Sequence, residues 1–140
     1  MPKYIQRAAR TTTVLVGCVV MVMGLTSVAG AAPAARDGLC RTGEFCLNYN
    51  LNFSGADSDF TSSVRNYGTS QPRCYEFIGP GAGAGQCMKN KSKSATNKSS
   101  RPVTVYYNSD YKGDFEVFAP GAYRNLKPAL RNNVASHKFG

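Results

Sequence analysis

One histidine, His137, and 8 Asp and Glu against 17 Lys and Arg leave this chain short of the groups that most catalysis uses. His137 is followed by Lys138 near the C-terminus, where an exposed position is expected, and no serine or cysteine stands in a nucleophile motif. The carboxylates Asp57, Asp59, Glu76, Asp110, Asp114 and Glu116 sit in turn-rich sequence, which favours turns over a paired-carboxylate hydrolase. The reading is therefore not an enzyme. No segment has the apolar period of a three-turn amphipathic helix. Gly79, Gly81 and Ala84 formally match the G-x-G-x-x-A pattern, but no helix or βαβ unit follows, so no dinucleotide site is expected. The basic run Lys89, Lys91, Lys93, Lys98 and Arg101 holds no aromatic ring among its cations. Single-strand nucleic-acid surfaces interleave the two, so the run reads as a solvated connection and no nucleic-acid partner is expected.

Long apolar runs are also missing, apart from Val14 to Leu25. That stretch falls short of the roughly 18 residues a spanning helix needs. It is preceded by Lys3, Arg7 and Arg10 and followed by Ala29, Gly30 and Ala31, the layout of a secretory signal cut after Ala31. Leu15, Val16, Gly17 and Cys18 resemble a lipoprotein box, but most of the apolar run follows the cysteine when it should precede it. Residues 1–31 are read as signal and 32–140 as one secreted domain, monomeric and with no membrane contact once the signal is removed. Losing the three cations of the signal leaves a net charge of +6 out of the chain's +9, which suits acidic partners.

Four cysteines remain: Cys40, Cys46, Cys74 and Cys87. An even number in an exported small domain points to two disulfides. Three connectivities exist. Cys40 with Cys46 and Cys74 with Cys87 close short loops containing turn residues, each worth about 2 to 3 kcal/mol in the chain-entropy model. The spacings are not those of a zinc site.

The chain uses one pattern twice: Tyr49-Asn50-Leu51-Asn52-Phe53-Ser54-Gly55 and Tyr107-Asn108-Ser109-Asp110-Tyr111-Lys112-Gly113. Period-2 alternation (Phe45, Leu47, Tyr49; Val103, Val105, Tyr107) carries the first aromatic of each into a core from a strand, and glycine closes each turn where a positive φ is needed. Val103 to Tyr107 is the strongest strand, with Phe115 to Phe118 pairing to it. Phe60 to Tyr67 and Cys74 to Ile78 read as strands, and Tyr123 and Leu126 as core anchors. A six-residue echo follows each turn, Ser58 to Ser63 and Asn132 to His137. Together these patterns resemble the Greek-key unit of the βγ-crystallin superfamily, which implies an all-β, βγ-crystallin-like sandwich of two Greek-key units with two disulfides. The resemblance further implies candidate ligands of a weak calcium site, Asp59, Ser62, Asn133 and Ser136. With so few carboxylates its affinity would be about 10⁻⁴ to 10⁻³ M.

Over residues 38–139 the segments Gly43-Glu44-Phe45-Cys46-Leu47, Cys74-Tyr75-Glu76-Phe77, Gly85-Gln86-Cys87, Val103 to Asn108 and Asn132 to Phe139 resemble the βγ-crystallin-fold peptidase inhibitors of actinobacteria, typified by the Streptomyces metalloproteinase inhibitor. That resemblance implies an extracellular, thermolysin-like metalloprotease as partner. An inhibitor must enter a cleft already ordered and must hold its ends if cut. The Cys74 to Cys87 loop, with Gly81, Gly83 and Gly85, meets both needs. Such proteases cleave before bulky apolar residues, so Cys87 and Met88 are the expected contact, and Met88→Asp is expected to abolish inhibition while sparing the fold. The alternatives are a killer-toxin-like antimicrobial protein and a calcium-binding structural extracellular module.

Overall fold

The computed structural model describes residues 36–140, and residues 1–31, read above as a signal, lie outside the described residues. Among the described residues seven strands form: β1 Phe45–Asn48, β2 Asp57–Phe60, β3 Ser94–Asn97, β4 Val103–Asn108, β5 Lys112–Phe118, β6 Tyr123–Asn125 and β7 Ser136–Phe139. They make one four-stranded sheet in the order β2-β1-β3-β6 and one three-stranded sheet in the order β5-β4-β7. β6 follows β5 in the chain yet pairs with β3, and Val64, just past β2, bridges His137 of β7. Each unit thus sends its third segment into the other unit's sheet, the crossing that makes a Greek key.

Alternation decides which residues enter the core. Phe45 and Leu47 from β1, Val103 and Val105 from β4, and Phe118 from β5 are all fully buried. The Phe45 and Phe118 rings meet edge to face at 5.8 Å and so join the two sheets. Both disulfides form as the loop lengths suggest, Cys40–Cys46 and Cys74–Cys87. Gly55 and Gly113 close their turns at φ 76° and 80°. The edge of β5 is covered by its own neighbourhood: the Phe115 N–H donates to Asp114 Oδ1, and Arg124 donates to the Val117 carbonyl.

Several expectations are corrected. The strand return starts at Asp57 and ends at Phe60, and Cys74 to Ile78 contributes only the bridge Glu76↔Cys87. A register shift between Tyr106 and Asn108 ends the alternation of β4, so Tyr107 is 42% exposed. Leu126 is a core anchor, but Tyr123 is 69% exposed. The supposed solvated connection contains β3, which is paired on both sides inside the first sheet.

The first echo also moves. Ser94 Oγ donates to the Asn50 carbonyl at 2.7 Å and accepts the Phe53 N–H at 3.1 Å. Ser136 Oγ does the same for Asn108 and Tyr111, at 2.6 and 3.2 Å. Asn90 and Asn132 share φ values of 61° and 59°, and each N–H crosses to the other segment, Asn90 to the Val134 carbonyl and Asn132 to that of Ser92. The structural counterpart of Asn132 to His137 is therefore Asn90 to Ala95, and Ser58 to Ser63 is β2 with its exit.

Candidate functional site

The disulfide Cys74–Cys87 brings its two Cα atoms within 5.5 Å and closes the loop 75–86. Glycine and alanine leave this loop little side chain of its own to pack, so its shape comes from backbone bonds. Phe77 N–H donates to the Gln86 carbonyl at 3.0 Å and Gly85 N–H to that of Phe77 at 2.8 Å. At the tip Ala84 donates to Gly81 and Gln86 to Gly83, at 3.2 and 3.0 Å. The loop is a stack of turns, not an extended strand.

The first Greek-key turn is its foundation. Ile78 and Gly79 N–H groups both donate to the Asp57 carbonyl, at 2.8 and 3.1 Å, and Ala56 N–H donates to that of Ala82 at 2.9 Å. Gly83, at φ 90°, lies on the Tyr49 ring so closely that a Cβ there would overlap it. That ring also meets Phe77 edge to face at 5.4 Å and carries the Lys93 ammonium at 5.0 Å. Burial, reinforced by Asp59, Asp37 and Glu44, raises the Asp57 carboxyl above its ordinary value against the lowering effect of a backbone hydrogen bond. From Ile78 to Cys87 no residue carries charge, in a chain with 17 Lys and Arg. Ile78 is the large apolar side chain the loop leaves exposed, at 38%.

Met88 lies elsewhere. Its side chain is fully buried in the core and its N–H is bonded to the Tyr75 carbonyl at 2.8 Å. It therefore cannot fill a protease pocket from this conformation, against the contact expected at Cys87 and Met88, whereas Ile78, Pro80, Ala82, Ala84 and Gln86 before Cys87 are exposed.

The four candidate calcium ligands do not share a common role. The Asp59 carboxylate is buried and accepts the backbone N–H groups of Arg36, Asp37 and Gly38, which ties down the start of the domain. Ser136 clamps the second turn, Asn133 donates to the carbonyls of Ala129 and Arg131, and the Ser62 carbonyl accepts from His137 Nε2. Among the described residues no three His, Cys, Asp or Glu side chains converge in a way that could hold a metal. Three further carboxylates are ion-paired: Asp110 with Arg65, Asp114 with Lys127 and Glu116 with Arg124.

His137, expected at the surface, is fully buried between Phe45 and Phe60, with ring centroids at 5.4 and 4.6 Å. Its Nδ1 lies 2.7 Å from the Tyr67 hydroxyl and its Nε2 2.9 Å from the Ser62 carbonyl. Desolvation, partly offset by the Ser62 bond, lowers its pKa to about 4, so the ring is neutral at ordinary pH and serves as a core polar link.

Tyr49, Ala56 and Asp57 as supports of the loop were missed in the sequence. Nothing local relates Tyr49 to Gly83, and only the fold brings the two segments together.

Solved structures similar to this fold include βγ-crystallins. A structure from work on the evolution of the eye-lens βγ-crystallin domain fold shares 14% identity and a TM-score of 0.55, with 74% of this chain and 90% of that chain covered. A βγ-crystallin from Ciona intestinalis gives 14% identity and a TM-score of 0.52 over 70% of this chain and all (100%) of its own. An archaeal βγ-crystallin gives 20% identity and a TM-score of 0.50 over 71% and 100%. These likenesses establish the fold alone. No curated protein matches the chain. A family model, that of peptidase inhibitor family I36, matches residues 33–118.

Proposed function

Because the chain belongs to peptidase inhibitor family I36, we propose that it is a secreted, monomeric inhibitor of a thermolysin-like metalloprotease, blocking the active site with the loop closed by Cys74 and Cys87. The family match over residues 33–118 is the observation that carries this reading. Three features of the loop support it. Its ends are tied covalently, its backbone is bonded to the Asp57 and Ala56 segment, and its stretch from Ile78 to Cys87 carries no charge. Such a loop loses little entropy on binding, which leaves more of the contact energy for affinity. Should the protease hydrolyse a bond within it, the disulfide keeps both new ends in place and favours re-ligation. Export through residues 1–31 and a partner outside the cell belong to the same proposal. Among the described residues no helix is long and apolar enough to cross a membrane.

Titration of the secreted protein into a thermolysin-type protease, following cleavage of a peptide substrate, tests it. Activity is expected to fall in proportion to added protein and to vanish near one equivalent. Undiminished activity at micromolar protein, with a serine protease inhibited in parallel, would move the target to another class. No inhibition of either would refute the reading.

A further inference from the structure

The loop is too small to be the whole interface. Stable protease–inhibitor contacts bury about 800 Å² per partner and use roughly 20 to 30 residues a side. The stretch from Ile78 to Gln86 supplies seven exposed residues, since Gly79 is buried and Gly83 half-buried. Resting on the inhibitor reading, we propose that the Leu51, Phe53 and Tyr123 patch is a second contact for the same protease, adjoining the loop across the first Greek-key turn. The occupant is an apolar part of the protease rim.

Continuity comes first. Phe53 and Gly55 belong to one turn, and a Cβ on Gly81 would lie 3.3 Å from Gly55. The Ala56 N–H holds the Ala82 carbonyl. The turn that touches the loop through Gly55 and Ala56 therefore also carries Phe53, whose ring meets Tyr123 edge to face at 5.6 Å.

Rigidity comes second. Asn52 and Phe53 stand at φ 55° and 59°, a region that side chains other than glycine seldom adopt. They are held there by the Asn52 N–H to Asn125 Oδ1 (2.7 Å), by Asn125 Nδ2 to Asn52 Oδ1 (3.0 Å) and by the Phe53 N–H to Ser94 Oγ. The second unit keeps the same backbone at Asp110 and Tyr111, but there Tyr111 lies against Tyr106 of its own unit at 5.8 Å. Only the first unit presents its turn aromatic beside a partner as exposed as Tyr123, at 69%. An exposed tyrosine packed edge to face against a phenylalanine on a fixed turn has the make-up of an interface hot spot.

The test compares wild type, Tyr123→Ala and Phe115→Ala in the titration against a thermolysin-type protease, with sedimentation of each protein alone. Phe115, 55% exposed on the second sheet, is the control. Tyr123→Ala is expected to weaken inhibition about tenfold or more at an unchanged melting temperature, and Phe115→Ala to stay within about twofold. Equal inhibition by wild type and Tyr123→Ala would overturn the second contact and leave the loop alone. Self-association of wild type that Tyr123→Ala abolishes would assign the patch to a second copy and overturn it too. If wild type does not inhibit, the inhibitor reading itself fails.

Discussion

Met88→Asp is expected to unfold the domain. Met88 is fully buried and belongs to the hydrophobic core cluster with Phe77, Leu126 and Leu130. An unpaired charge there, together with lost thioether packing, costs on the order of 5 kcal/mol. That is comparable to the whole stability of a small domain. The midpoint of thermal unfolding should drop by about 20 °C or more if any cooperative transition survives. Met88→Leu, which keeps volume and polarity, should shift it little. Circular dichroism melts of the three proteins decide the matter. A Met88→Asp protein that melts like wild type would mean that Met88 is exposed, and would restore Cys87 and Met88 as the contact.

Acid is expected to weaken the fold through His137. Its pKa is about 4 in the folded state against 6.5 when free, so the unfolded chain takes up the proton first as pH falls. The contribution is fully present above pH 6.5, is lost progressively as pH falls from there to about 4, and changes no further below. The 2.5-unit gap corresponds to about 3 kcal/mol. Glu44 and Asp57 act in the opposite sense, since burial raises both and their protonation favours the folded state as pH falls. The histidine part is therefore read as a difference: urea unfolding of wild type and His137→Gln at pH 7 and pH 4. Wild type should lose about 3 kcal/mol more than the variant over that interval. Equal losses would contradict the burial of a neutral ring between Tyr67 and Ser62.

The fold was legible where side chains alternate. Phe45 and Leu47, Val103 and Val105 announced β1 and β4, and the glycines of the two turns announced their positive φ. The disulfides followed from loop length. β3 was not legible, because Ser94, Ala95, Thr96 and Asn97 put only a methyl into the core and satisfy their polar groups by bonds to distant segments, such as Asn97 to the Phe118 carbonyl. Missing β3 also misplaced the first echo, since Ser94 is recognised only by its clamp on the turn at Asn50 and Phe53. His137 shows the opposite error: a lone polar residue near a chain end looked exposed, while Tyr67 and Ser62, far off in sequence, satisfy it in the core. For the candidate site, the cysteines marked a closed loop, and the bond Cys74–Cys87 forms. What the loop rests on could not be read from the chain, since Tyr49, Ala56 and Asp57 reach it only through tertiary contacts.

The most direct measurement is hydrogen exchange of the protein alone and saturated with a thermolysin-type metalloprotease. The loop mechanism predicts that exchange slows across residues 78–86 in the complex. A fully inhibited protease with those amides exchanging as they do in the free protein would contradict it.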